Sequence, residues 1–121
     1  MTTSTPSSGN SGYLDPVALT QQLIRFDTTN PPGNETQCIE HIKALLDGAG
    51  IQTQVFAKTP GRPNLIARLP GDGTAAPLLL QGHVDVVPAG PTPWQRPPFS
   101  GDLVGGFLWG RGSLDMKSVS P

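Results

Sequence analysis

Two histidines, one cysteine and nine acidic residues are the side chains in this chain best able to ligate a metal or move a proton. One spacing stands out. In "LLLQGHVDVVP", residues 78–88, His83 and Asp85 interrupt an apolar run. Ionisable groups in such a run are costly unless they are paired, hydrogen-bonded or bound to a metal. Two residues apart on an extended strand, both side chains point the same way. The Asp85 carboxylate can then accept from one imidazole nitrogen, which fixes the tautomer and frees the other nitrogen for a metal. A satisfied structural pair is the competing reading, and H-x-D alone does not separate the two. Asp115, in "GRGSLDMKS", is the third candidate. By its surroundings alone it reads as an acid near a helix N-terminus, interacting with the helix dipole.

The remaining chemistry-bearing groups read as structural. His41 falls mid-helix among polar neighbours and is assigned to the solvated face. Cys38 lies on an apolar helical stripe, as a small buried hydrophobe rather than a nucleophile. "GRGSLDMKS" lacks the G-x-x-x-x-G-K-[ST] spacing of a phosphate loop, and Lys117 is read as solvated.

The elements that must position these groups follow from periodicity and punctuation. Asp15-Pro16 starts a helix, with Asp as cap and Pro at the first helical position. Val17, Leu19, Leu23, Ile24 and Phe26 give it an apolar stripe to about residue 27. "TTNPPGN" is a loop. A second helix is predicted over residues 35–49, capped by Asn34 and closed by Gly50, with Cys38, Ile39, Ile42, Leu45, Leu46 and Ala49 at helical spacing. "TQVFA" and "NLIARL" read as strands. "PGDGTAAP" reads as a turn leading into residues 78–87, taken as a central strand buried on both faces. Residues 88–106 form a Pro- and Gly-rich loop with Trp94 and Phe99 as packing anchors. "FLWGRG" then resumes as a strand, and "SLDMKS" begins a helix. The fold class is α/β, helices packed on a mixed sheet.

Composition narrows the function classes. With 8 basic and 9 acidic residues the net charge is −1, which draws the chain to neither nucleic acid nor a membrane surface. "MTTSTPSSGNSG" has no basic or apolar signal-peptide region and reads as a disordered tail over residues 1–12. A single cysteine allows no internal disulfide. A cytoplasmic location is the resulting expectation.

"LLLQGHVDVVPAG", "W...PPFSG" and "LWGRGSLDMKS", together with "IRFDTTNPPGNE" and "GRPNLIARLPG", resemble in order the M20 family of zinc metallopeptidases and deacylases. That family includes acetylornithine deacetylase, succinyl-diaminopimelate desuccinylase and aminoacylase. The resemblance assigns residues 13–118 to the N-terminal portion of a catalytic domain and leaves 119–121 as a non-family tail. It implies a site of two zinc ions, cobalt being a possible substitute. His83 would ligate one ion, Asp115 would bridge both, and Asp85 would be the catalytic-site residue supporting His83. It also implies a cis peptide after Asp115, hydrolysis of the amide bond of an N-acyl amino acid or peptide, and frequent homodimers.

The chain departs from the family in its inventory. The family's later Glu-Glu pair, one member a general base and the other a ligand, has no counterpart: Glu35 and Glu40 are the only glutamates. His83 and a shared Asp115 fall short of the three protein ligands usual at a catalytic zinc. The chain is therefore read as an incomplete, truncated form of the domain, inactive by itself and binding metal weakly. A non-catalytic remnant that binds metal weakly or associates with another chain is the alternative.

Overall fold

The computed structural model describes residues 15–121; the predicted tail over 1–12 lies outside them. Helix α1 spans Pro16–Arg25, and Asp15 caps it by accepting from the Val17 and Ala18 amides at 3.0 Å each. Its buried stripe is Leu19, Thr20, Leu23 and Ile24. Helix α2 spans Thr36–Gly48. Its N-cap is Glu35, not Asn34, and the Glu35 side chain makes no cap hydrogen bond. It is used elsewhere, as described below. The C-terminus closes as expected at Gly50, whose φ is 78°. The Gly50 amide donates to Asp47 O and the Ile51 amide to Leu46 O, the paired bonds of a glycine-terminated helix.

Strands β1 (Gln52–Thr59) and β2 (Arg62–Arg68) pair antiparallel through the Pro60-Gly61 turn. Gly61, at φ 80°, supplies the positive dihedral that a type II turn needs after proline. Short strands β3 (Leu103–Val104) and β4 (Phe107–Leu108) form a second antiparallel pair. The α/β class is as read from the sequence, with α2 lying against the β1–β2 hairpin. The strands form two separate two-stranded sheets.

Residues 78–87 depart most from expectation. They make a single parallel bridge, Thr29 with Val86, instead of a doubly paired central strand. Leu78, Leu79 and Leu80 are 82–84% exposed. A strand buried on both faces needs neighbours to complete its ladder, and an open groove of about 860 Å³ runs between β2 and residues 80–85. Residues 111–119 are turns instead of the start of a helix. The Lys117 amide bonds to Gly112 O and the Val119 amide to Met116 O.

The core is small and continuous: Leu19, Leu23, Ile24, Cys38, Ile39 and Val86, with Thr28 and Lys117 buried among them. Lys117 is fully buried, contrary to its reading as solvated. Its Nζ donates to Phe26 O at 2.8 Å, so the carbonyl left free past α1 compensates the buried amine. His41 is likewise half-buried. Its Nε2 lies 2.9 Å from Gln22 Oε1 and its ring leans on Phe26, joining the two helices. Cys38 is buried as expected. Trp94 is partly exposed; its indole donates to Ala89 O and its face carries the Arg111 guanidinium at 5.0 Å.

Candidate metal centre

The backbone of the segment carrying His83 and Asp85 is held to the loop after α1 by three hydrogen bonds. Val86 N donates to Thr28 O, Asn30 N to Val86 O, and the Thr28 hydroxyl to Val84 O at 2.5 Å. Thr28 is 1% exposed and Val86 4%. The backbone on both sides of Asp85 is therefore anchored on the core, although no continuous strand forms. Asp115 reaches the same place from the 111–119 turns. Gly112 makes that approach possible: at φ 87°, an added Cβ there would lie 2.7 Å from Val86 Cγ1. Lys117 fastens the turn from its other side through Phe26. The Asp115–Met116 peptide is cis, as the family resemblance implies.

His83 sits between two carboxylates. Its Nδ1 is 2.9 Å from Asp85 Oδ1 and 3.1 Å from the Asp85 carbonyl, while Nε2 is 3.2 Å from Asp115 Oδ1. Partial burial is the largest single influence on the imidazole and opposes its charge. The Asp85 carbonyl and the two carboxylates outweigh it, so the pKa lies above the ordinary value. The Asp85 pKa is lowered, first by the hydrogen bond from Asn30 and then, against partial burial, by His83 and Arg62. All three residues predicted from the sequence are thus brought together. They line one end of an open cleft of about 540 Å³ whose walls include Trp94, Trp109 and Arg111.

Behind Asp85 stands a group that local spacing did not reveal. Asp85 Oδ2 accepts from Asn30 Nδ2 at 3.0 Å and from Arg62 Nη2 at 3.3 Å. Arg62 in turn meets Glu35 Oε1 through Nε at 3.1 Å and Nη2 at 3.0 Å. The available signal was "GRPN", an arginine directly after a Pro-Gly turn; its partners lie 23 and 27 residues away.

The donor set suits part of a metal site. Imidazole nitrogen and carboxylate oxygen are ordinary zinc ligands, and two such ligands on one tetrahedral ion stand about 3.4 Å apart. The His83 Nε2 to Asp115 Oδ1 separation of 3.2 Å is close to that. Asp85 stands on the opposite nitrogen, where an orienting carboxylate belongs. No group of three or more His, Cys, Asp or Glu residues suited to a metal occurs among the described residues. The two candidate donors that face each other are His83 Nε2 and Asp115 Oδ1.

Comparison with known proteins agrees with the motifs. Residues 79–120 match the peptidase family M20/M25/M40. A succinyl-diaminopimelate desuccinylase of Cereibacter sphaeroides is 42% identical over 106 residues, covering 87% of this chain and 27% of that protein. One from Methylobacterium sp. is 44% identical over 108 residues, with 84% and 26% covered. A third, succinyl-diaminopimelate desuccinylase 2 of Ruegeria sp., is 41% identical over 106 residues. The chain spans about a quarter of the length of these relatives. The ordered motifs, the matched segment containing His83, Asp85 and Asp115, and similarity along most of its length make this chain similar to the N-terminal quarter of M20 peptidase family proteins.

Proposed function

We propose that residues 83–115 supply part of the metal site of an M20-type amide hydrolase acting on an N-acyl amino acid or peptide. The observation that carries this reading is the facing of His83 Nε2 and Asp115 Oδ1 at 3.2 Å, with Asp85 on the other imidazole nitrogen. His83 would present Nε2 as a ligand, and Asp85 would keep the remaining proton on Nδ1. Asp115 would offer one carboxylate oxygen beside Nε2, its other oxygen being open to a second zinc ion. When bound, zinc supplies an acidified water and polarises the amide carbonyl. Taking a proton from that water is work for a general base. Glu35 is buried against Arg62 and Glu40 lies on α2, so neither glutamate is placed for that role.

The 121-residue chain alone accordingly binds zinc or cobalt weakly and does not turn over substrate, its missing ligands and base being supplied by other residues of a complete site. A cytoplasmic setting suits its one free, buried thiol, Cys38. Zinc titration followed by imidazole NMR, with an amidase assay on N-acyl amino acids, tests the reading. Zinc should perturb His83 and leave His41 unchanged, and His83→Ala should abolish the response. Perturbation of His41 alone would sink the site assignment, and turnover that disappears in His83→Ala would overturn the predicted inactivity.

A further inference from the structure

The His83 imidazole faces the Asp115 carboxylate at Nε2 and, at Nδ1, both the Asp85 carbonyl at 3.1 Å and the Asp85 carboxylate at 2.9 Å; in its neutral form it has one proton to give. The proton goes to the carboxylate that is better held. Asp115 is 86% exposed at its side chain, and water competes for it; Asp85 is 27% exposed, with Oδ2 hydrogen-bonded by Asn30 and Arg62 and Oδ1 2.9 Å from His83 Nδ1. Oδ1 serves His83, whereas Oδ2 serves Asn30 and Arg62. The terminal torsion of an aspartate is broad, so its orientation towards Nδ1 depends on what grips Oδ2.

Arg62 is itself paired with Glu35. Glu35 Oε1 takes both Nε and Nη2, and Glu35 is 4% exposed at the start of α2. The Glu35 amide bonds to Gly61 O at 3.0 Å, tying the helix start to the hairpin turn beside Arg62. Across the guanidinium lies Gly33, where an added Cβ would stand 2.7 Å from Arg62 Nε. Glycine leaves the space in which the fork lies. The Nη2 group then bridges Glu35 at 3.0 Å and Asp85 at 3.3 Å. A lysine, with one ammonium and no fork, cannot reproduce this arrangement.

We propose that Arg62, clamped by Glu35 over Gly33, is a positioning residue that fixes the Asp85 carboxylate so that His83 keeps its proton on Nδ1 and presents the Nε2 lone pair towards Asp115. The consequence for metal binding rests on the reading of His83 and Asp115 as ligands. The placement of the proton does not.

The test is nitrogen-15 NMR of the two imidazoles in the 121-residue chain without metal, at about pH 9, where histidine is neutral. In the wild type, His83 should be mainly the Nδ1–H tautomer. Arg62→Gln should shift it towards Nε2–H, Arg62→Lys should give an intermediate mixture, and His41 should stay unchanged as the internal reference. Zinc affinity should fall about 10- to 100-fold in Arg62→Gln. An Nε2–H tautomer in the wild type, or an unchanged His83 in a folded Arg62→Gln, overturns the proposal. A general loss of structural role would move His41 and the amide spectrum as well. Should Arg62→Gln not fold, Arg62→Lys and Glu35→Gln read the same tautomer, and no shift in either overturns the proposal. A tautomer shift without zinc binding in the wild type supports the positioning role and removes the metal reading instead.

Discussion

Lys117 links the stability of the chain to the turn that carries Asp115, and truncating it separates two contributions. The side chain is fully buried; burial pushes its pKa down, against the neighbouring Cys38 and Asp27. Its stem packs beside Gly112, and Nζ donates to Phe26 O at 2.8 Å. Lys117→Ala removes three methylenes, each about 0.8 kcal/mol when buried. It also strips Phe26 O of its donor, at about 1–3 kcal/mol. Relief of the buried charge offsets part of this, leaving a loss of about 2–4 kcal/mol. Lys117→Met keeps the apolar volume and exchanges the hydrogen bond for release of the charge, so its loss should be within about 1.5 kcal/mol. Urea unfolding followed by tryptophan fluorescence measures both. Equal losses in the two variants would refute the packing argument, and a loss below about 1 kcal/mol in Lys117→Ala would refute the burial argument. Among folded molecules, Lys117→Ala should also displace the His83 imidazole resonances, because the turn bearing Asp115 loses its tether.

Two further predictions concern titration. The His83 pKa is raised, so its contribution is present below its ordinary value of 6.5 and lost as pH rises through the folded value. The Asp85 pKa is lowered, so its contribution is present above 3.8 and lost as pH falls through the folded value. Stability from the pair should therefore fall away on both sides of the interval between them. Asp85→Asn should flatten the acid side of urea midpoints measured against pH; an unchanged acid slope would contradict this. Burial raises the Cys38 thiol from 9.0 to about 11, which lowers its thiolate fraction about 100-fold near neutral pH. Iodoacetamide should label it in urea and leave it almost unmodified in the folded chain, whereas comparable rates would show that Cys38 is accessible.

What was legible in the sequence was local chemistry. The Asp15-Pro16 start and the Gly50 stop concern groups within a turn of one another, and both helices sit where those signals put them. His83 and Asp85 are two residues apart, and any extended backbone brings them to one side. The misreadings have a common origin in contacts that no local period encodes. Asn34 has a good capping side chain, but Glu35 takes the cap position while its carboxylate is drawn to Arg62 on the hairpin. Lys117 has the sequence surroundings of a surface lysine and is buried because the end of α1 presents a carbonyl to it. Residues 78–80 have the composition of a central strand but have no strand paired with them among the described residues.

The same distinction bears on whether His83, Asp85 and Asp115 are only a structural cluster. Asn30 and Arg62 already satisfy Asp85, and His83 adds a third partner. Placing Asp115 against His83 brings little further stability, because an ion pair with one side chain 48% and the other 86% exposed is worth about 0–1 kcal/mol. Yet the turn that places it contains a glycine at φ 87° packed against Val86 and a lysine whose buried amine has, among the described residues, one carbonyl as hydrogen-bond partner. Burying an amine is costly, and a surface contact of that worth does not offset it. A carboxylate held beside an imidazole nitrogen for a metal, as proposed above, would account for the arrangement, and the proton on Nδ1 is the first quantity that would show it.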